Sequence, residues 1–140
     1  MAAVTVKIVD YKDEHHAACL ISLLAAYALD PAGGGEAISD DVLGGLVAQL
    51  ASRPYAFSMI AFDESGTAVG LANCFEGFST FAGKGLVNIH DFYVAESHRK
   101  QGVSQILLAG VEDEAKKRGA CKITLEVLDG NRPAKVGLSF

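Results

Sequence analysis

The most constraining feature of this sequence is a loop that joins an apolar strand to an amphipathic helix. The strand pattern runs from Leu86 to Val94, and the loop follows as Arg99-Lys-Gln-Gly-Val-Ser104. A helix N-terminus carries unpaired N–H groups and about half a positive charge, so it stabilises an anion placed against it. Because Gly102 permits close approach of the backbone and two cationic side chains lie beside it, the loop predicts a phosphate-binding site.

Hydrophobic periodicity along the chain predicts a mixed α/β architecture. Alternating apolar residues indicate strands at Val4 to Ile8, Tyr55 to Phe62, Thr67 to Phe78, Leu86 to Val94 and Cys121 to Leu128. Apolar residues at helical spacing indicate helices from Glu14 to Leu29, from Ser39 to about Leu50 and from Gly102 to Gly119. Pro133 favours a first helical turn, which predicts a final helix that the chain barely enters.

The segment from Leu86 to Leu128 has the order strand, helix, strand. Such a crossover joins parallel strands, and it places the phosphate loop at the carboxyl end of the first strand. The β-rich stretches before it are separated by Asp63-Glu-Ser-Gly66, which predicts a hairpin. We therefore expect a mostly antiparallel sheet that contains one parallel pair.

Length and charge limit the classes of function. A chain of 140 residues, half of them apolar, builds one core, so residues 1–140 are predicted to form a single domain. The net charge is −5 and the basic residues are scattered, which disfavours nucleic acid and favours a cationic small substrate. No apolar run is long enough for a membrane span and no leader precedes it, so no membrane association and a cytoplasmic location are expected.

Cysteine and histidine positions predict no metal centre. Cys19, Cys74 and Cys121 are widely spaced within apolar patterns, which is typical of buried free thiols. His15-His16 and His98 have no ligand spacing to a carboxylate or a cysteine. Four carboxylates lie between the first two helices and are read either as a solvated helix start or as an attractor for a polyamine: Asp30, Glu36, Asp40 and Asp41.

Residue by residue, the loop and the strand before it are similar to a known family. Arg99-x-x-Gly102-x-Ser104 resembles the acyl-CoA pyrophosphate loop of the GNAT acyltransferases, although Ser104 stands where the family has Gly or Ala. The stretch from Phe78 to Val94 looks like the branch that acetylates diamines, spermidine and spermine. The resemblance implies an α/β GNAT fold and an N-acetyltransferase. It would transfer acetyl from acetyl-CoA, its cosubstrate, to a primary amine: a polyamine, a diamine or another small amine.

The same resemblance implies which residues hold acetyl-CoA. Backbone groups of Phe92 and Val94 would bind the pantetheine arm as an added strand does. Asn131 matches a family asparagine near the cofactor arm, and its alternative reading is an ordinary turn residue. The pyrophosphate would be held by the loop amides with help from two cations: Gln101, Gly102, Val103 and Ser104, with Arg99 and Lys100.

His90-Asp91 stands where relatives carry Glu-Asp. An alkylamine has a pKa of about 10, so a base must remove its proton before it attacks the thioester. Histidine can serve as that base and Asp91 can pair with an ammonium; the alternative is that His90 is an ordinary strand residue. A regular strand places these two side chains on opposite faces, and only a bulge would bring them to one face.

The C-terminal part departs from the family pattern. Leu138 falls where the family has an acidic tyrosine, and Ser139 and Tyr93 are weak substitutes, so transfer is expected to be slower without being forbidden. The family's last two strands are missing after Phe140, which predicts an uncovered edge on the strand from Cys121 to Leu128. An exposed apolar edge invites pairing with another chain, so either a homodimer or a shortened relative of an active enzyme is expected.

Two other functions stay open at this point. The absent tyrosine and strands suggest a non-catalytic acyl-CoA-binding module, and the exposed edge suggests an assembly or regulatory subunit.

Overall fold

A computed structural model describes residues 3–129 and 132–140. Its three helices are α1 (Glu14–Leu29), α2 (Asp40–Ala51) and α3 (Val103–Lys117). Short 3₁₀ turns follow α1 at Pro31–Gly33 and precede α3 at Glu96–His98. The strands are β1 (Thr5–Ile8), β2 (Ala56–Phe62), β3 (Ala68–Ser79), β4 (Lys84–Val94), β5 (Lys122–Asp129) and β6 (Arg132–Ser139).

The strands form one six-stranded sheet in the order of the sequence. Every neighbouring pair is antiparallel except β4 and β5, which are parallel and joined by α3. The predicted α/β fold with a mostly antiparallel sheet and one strand–helix–strand crossover is therefore confirmed.

The two faces of the sheet carry separate cores. On the α1/α2 face, Leu20 and Leu24 of α1 pack with Ile60 and Leu71 of the sheet. On the α3 face, the buried side of the helix packs against β2, β3 and β4 through a second apolar cluster, which includes Leu107, Val111, Met59, Ala72, Val87 and Ile89. Because strand side chains alternate between faces, β2, β3 and β4 each supply residues to both cores.

The end of the sheet differs from the prediction. The final helix predicted from Pro133 is wrong, because residues 132–139 form β6 and pair with the whole length of β5. A helix would leave the backbone groups on the edge of β5 without a partner, whereas an antiparallel hairpin satisfies them. The predicted uncovered edge is therefore also wrong, and the argument for a homodimer that rested on it no longer holds. The homodimer itself stays a prediction.

In the part of the chain that the structure describes, no helix is long and apolar enough to cross a bilayer.

Gly110 sets how closely α3 approaches β1. A Cβ atom built at this position would lie 2.6 Å from Cγ1 and 3.2 Å from Cβ of Val6. Val6 is β-branched and stiff about χ1, so the contact cannot be relieved by rotating a flexible end. Gly45 in α2 is also helical, but nothing lies within 4 Å of its Cβ position.

Two alanine substitutions should therefore have opposite effects on the free energy of unfolding. Gly45→Ala should stabilise the protein by roughly 0.5–1 kcal/mol through helix propensity alone. Gly110→Ala should destabilise it by about 1–3 kcal/mol, because overpacking outweighs the same propensity gain. Urea denaturation of both variants measures the difference. If Gly110→Ala also stabilised the protein, the close packing of α3 on β1 would be contradicted.

Candidate functional site

The strands β4 and β5 separate partway along their length. Their parallel register consists of Val87 with Ile123, Asn88 with Thr124 and Ile89 with Leu125, and it ends there. Both strands continue beyond that point, β4 to Val94 and β5 to Asp129. Asn88 Nδ2 donates a hydrogen bond of 2.9 Å to Thr124 Oγ1 where the strands part. Past this point β4 has no strand partner on the β5 side, which leaves a gap where an extended ligand can add as a strand.

The predicted phosphate loop lies at the mouth of this gap. Gly102 has φ +83°, and α3 begins directly after it without a capping side chain from the described residues. Lys100 has φ +62°, a backbone conformation that non-glycine residues seldom adopt, so the loop is held in a specific shape. The loop borders a pocket of about 250 Å³ lined by Val94, His98, Arg99, Lys100, Gly102, Val103, Ser104 and Gln105. Exposed N–H groups and a positive dipole at one wall suit a phosphate.

Arg99 is fixed at this pocket by contacts on several sides. Its Nη2 lies 2.7 Å from Oδ2 of Asp30, and its Nε donates to the carbonyl of Val94 at 3.0 Å. The guanidinium also lies 5.7 Å from the ring centroid of Tyr93. The hydrogen bond from Arg99 lowers the pKa of Asp30, and the same bond raises the pKa of Arg99. Arg99 therefore ties the phosphate loop to the segment after α1.

The remaining predicted cofactor residues fall into three groups. Val103 and Ser104 begin α3 and line the pocket with Lys100 and Gly102. Gln101 does not line it; its Nε2 donates to the carbonyl of Ser97 at 3.3 Å. Phe92 and Val94 lie on the stretch of β4 beyond its pairing with β5, and Asn131 lies outside the described residues.

His90 and Asp91 share one face of the sheet because of a β-bulge. The register of β3 with β4 steps from Asn73–Asp91 to Cys74–Ile89, so His90 is the inserted residue. The exposed ring of His90 lies 5.7 Å from the ring of Phe75, which packs on the α1/α2 face. Asp91 accepts a hydrogen bond of 3.1 Å from Nδ2 of Asn73. The two side chains can therefore act on one bound molecule, which a regular strand would not allow.

Asp91 is the end of a hydrogen-bonded row that crosses the sheet. Asn73 Oδ1 accepts from Ser58 Oγ at 2.6 Å, and Ser58 Oγ lies 2.8 Å from the hydroxyl of Tyr11. Sequence reasoning missed these three residues. The available signal was a polar residue at an inward position of an otherwise apolar strand, as in Phe57-Ser58-Met59 and Ala72-Asn73-Cys74.

The two substitute proton donors lie in different places. Tyr93 packs on the α1/α2 face, with its ring 5.7 Å from that of Tyr27. Burial raises the pKa of Tyr27, and the nearby Asp91 carboxylate adds to the effect. Ser139 pairs with Lys122 at the start of β5, opposite the end where the strands separate. It therefore does not belong to this site.

The described histidines and carboxylates form no metal-binding group. His98 Nε2 lies 3.3 Å from Asp63 Oδ2, which links the phosphate loop to the β2–β3 turn. Hydrogen bonding from the Ser65 hydroxyl lowers the pKa of that carboxylate. Of the four predicted acidic residues, Asp30 is tied to Arg99, and Asp40 and Asp41 lie exposed in the first turn of α2.

One protein-family model agrees with this combination of separated strands, loop and helix N-terminus. The sequence model of the acetyltransferase (GNAT) family matches residues 12–135. The chain belongs to the GNAT acetyltransferase family. No curated protein matches it closely enough to be named a relative.

Solved GNAT structures share the fold over most of this chain. A GNAT family acetyltransferase from Staphylococcus aureus is similar with a TM-score of 0.75 and 18% identity, covering 100% of this chain and 97% of that one. A ribosomal-protein-alanine N-acetyltransferase from Brucella melitensis has a TM-score of 0.69 and 22% identity, covering 88% and 79%. An aminoglycoside acetyltransferase from a soil metagenomic sample, in complex with sisomicin, has a TM-score of 0.72 and 18% identity, covering 91% of this chain and 78% of that one. At these identities the likeness establishes the fold alone.

Asp30 should oppose the binding of a pyrophosphate at this pocket, because it holds Arg99 and adds negative charge. Asp30→Asn keeps a side chain that can accept the hydrogen bond from the amide of Ala32. It should tighten the binding of coenzyme A by roughly two- to fivefold at low ionic strength, the size typical of an exposed ion pair. The gain should shrink at about 0.5 M salt, where such charges are screened.

Calorimetry with coenzyme A on both proteins measures this effect. Asp40→Asn is the matched control, since it removes the same charge from the exposed start of α2. Weaker binding by Asp30→Asn would mean that the ion pair serves to place Arg99 for the ligand.

Proposed function

We propose that this protein is an N-acetyltransferase that transfers the acetyl group of acetyl-CoA to a primary amine by direct attack. The single observation that carries the proposal is the early end of the β4–β5 pairing beside an uncapped helix N-terminus. An extended thioester arm fits the gap, and its pyrophosphate fits the loop. Membership of the GNAT family supports acetyl-CoA as the donor.

The donor would be bound mainly by backbone. Phe92 and Val94 lie on the stretch of β4 that β5 does not pair with, and they offer their main-chain groups other than the Val94 carbonyl, which accepts from Arg99 Nε. The amides from Gln101 to Ser104 would surround the pyrophosphate, with Lys100 and Arg99 supplying positive charge. Asn131 completes the proposed set as a contact to the pantetheine arm.

The acceptor would be deprotonated on the α1/α2 face. Transfer begins when a base takes a proton from the ammonium, and the lone pair of the neutral nitrogen then attacks the thioester carbonyl. The C–S bond breaks, and coenzyme A leaves as a thiolate that takes up the proton lost by the new amide nitrogen. His90 is proposed as that base, and Asp91 would hold the ammonium of the incoming amine. The bulge supports this division of roles because it brings both side chains to one face.

We propose a small cationic amine as the acceptor, such as a polyamine or diamine. The net charge of −5 and the carboxylates Asp30, Glu36, Asp40 and Asp41, which lie after α1 and in the first turn of α2, favour a cation. The structural neighbours act, by their names, on aminoglycosides and on the alanine of a ribosomal protein. Both are amines, so the reaction class agrees while the acceptor differs.

The second candidate function is a non-catalytic acyl-CoA-binding module. One argument for it is that Leu138 stands where the family pattern has a tyrosine. A second is that Leu138 pairs with Ile123, at the end of β5 that still pairs with β4 and away from the gap. Acetyl-CoA binding followed by turnover on a panel of amines separates the two functions. Binding without turnover favours the module, and neither result favours an assembly or regulatory subunit.

Gly102→Glu should weaken acetyl-CoA binding severely. The substitution places a side chain and a like charge where the pyrophosphate is proposed to lie, so we expect at least about a tenfold loss of affinity. Isothermal calorimetry on both proteins is the measurement.

The matched control is Gly119→Glu. Gly119 has φ +79°, close to the +83° of Gly102, and lies at the other end of α3 with open space around it. Both variants therefore bear the same backbone strain, and only Gly102→Glu should lose affinity. Equal affinities in all three proteins would remove the loop from the binding site.

Turnover should rise with pH if His90 is the base. A general base accepts a proton only in its unprotonated form, so kcat/KM should increase with pH as that form accumulates. His90→Ala should flatten this limb of the profile. His15→Ala, which removes an exposed histidine of α1, should leave the profile unchanged. An unaltered profile in His90→Ala would exclude His90 and point to a water chain as the base.

A further inference from the structure

A row of hydrogen bonds runs through the sheet from the start of α1 to the edge of the site. Tyr11, Ser58, Asn73 and Asp91 lie on four different segments and are joined at 2.8, 2.6 and 3.1 Å. Ser58 and Asn73 are neighbours in the register of β2 with β3, and Asn73 and Asp91 are neighbours in that of β3 with β4. The row is therefore built on rigid strands and not on loops.

The middle of the row is buried. Ser58 is 0% exposed and Asn73 is 3% exposed, and no other polar or charged residue of the described chain is buried to this degree. Burying a polar group is unfavourable unless every hydrogen bond is made, and an apolar pair would fill the same space without that requirement. Two polar residues at the centre of an apolar sheet therefore call for a role other than packing.

The hydrogen bonds have one direction. The single proton of the Ser58 hydroxyl goes to Oδ1 of Asn73, so the hydroxyl of Tyr11 must donate to Ser58. Reversing the Asn73 amide would set its carbonyl oxygen against a carboxylate oxygen of Asp91, which is repulsive when Asp91 is ionised. Burial raises the pKa of Tyr11, which keeps its donor proton in place at neutral pH.

The row ends where the acceptor is proposed to bind. Asp91 lies two residues beyond Ile89, the last residue of β4 that pairs with β5, and it shares a face with His90. Asn73 hydrogen-bonds one carboxylate oxygen, Oδ2.

We propose that Tyr11, Ser58 and Asn73 are positioning residues that aim successive donors at Asp91 and fix its carboxylate as the anchor for the ammonium of the acceptor. The inference rests on the proposed function, because the ammonium belongs to the amine substrate. It assigns the amine specificity partly to Tyr11, a residue of the loop before α1 that is separated from Asp91 by two intervening side chains. Hydrogen bonds in such a row polarise and strengthen one another, so loss of the first donor weakens the last hydrogen bond, which Asp91 accepts.

Tyr11→Phe tests the proposal, since it deletes only the first donor and keeps the ring. With 1,4-diaminobutane as the probe, KM for the amine should rise by about three- to tenfold, the range for one lost hydrogen bond. The values of kcat and of KM for acetyl-CoA should change by less than about twofold. Tyr55→Phe is the control, because it makes the same chemical change on an exposed tyrosine. A change of kcat and both KM values together would indicate a general loss of structure and would overturn the proposal.

A double-mutant cycle separates positioning from stability. In the Asp91→Asn background, Tyr11→Phe should have no further effect on KM for the amine, because the row no longer ends in a charge. Thermal unfolding of each variant reports stability separately. If the effect of Tyr11→Phe persisted in that background, the row would be only a structural feature of the sheet.

The outcome also distinguishes this inference from the proposed function. If the parent protein acetylates the diamine and Tyr11→Phe acts identically, the positioning role is refuted and the acetyltransferase stands. If the parent protein binds acetyl-CoA but neither binds nor acetylates any amine, both the acceptor assignment and this inference are overturned.

Discussion

The parallel pairing of β4 with β5 is the constraint on which the site depends. It holds for only three residue pairs, and then the two strands diverge while each keeps its other neighbour. β4 remains paired with β3, and β5 is paired with β6, so each strand beside the gap keeps one antiparallel neighbour. A strand held on one side only presents unsatisfied backbone groups to a ligand, and this favours an extended acyl-CoA arm over a compact molecule.

The bulge at His90 changes which face of the sheet the following side chains of β4 occupy. Val87 and Ile89 point into the core under α3, and a regular strand would send the side chain of residue 91 there as well. The inserted residue reverses the alternation, so Phe92 and Val94 enter that core while Asp91 and Tyr93 reach the α1/α2 face. One extra residue thereby places a histidine and a carboxylate together and keeps both cores apolar.

Acceptor and donor regions are linked by long-range polar contacts. The ion pair of Asp30 with Arg99 joins the segment after α1 to the phosphate loop across 69 residues of sequence. The row from Tyr11 to Asp91 joins the start of α1 to β4. The first contact ends on Arg99, which we assign to the donor site, and the second ends on Asp91, which we assign to the acceptor site. The segments that flank α1 therefore contact both proposed binding sites.

The sequence alone determined the order of strands and helices up to β5, the strand–helix–strand crossover and the glycine loop at the start of α3. These depend on hydrophobic periodicity and on loop chemistry, which are local in sequence. Tertiary structure decided the rest. Whether residues 132–139 form a helix or a strand depended on the open edge of β5, which no local pattern records. The bulge at His90, the fixing of Arg99 by Asp30 and the row behind Asp91 all arise between segments distant in the chain, so only the folded sheet brings their partners within hydrogen-bonding distance.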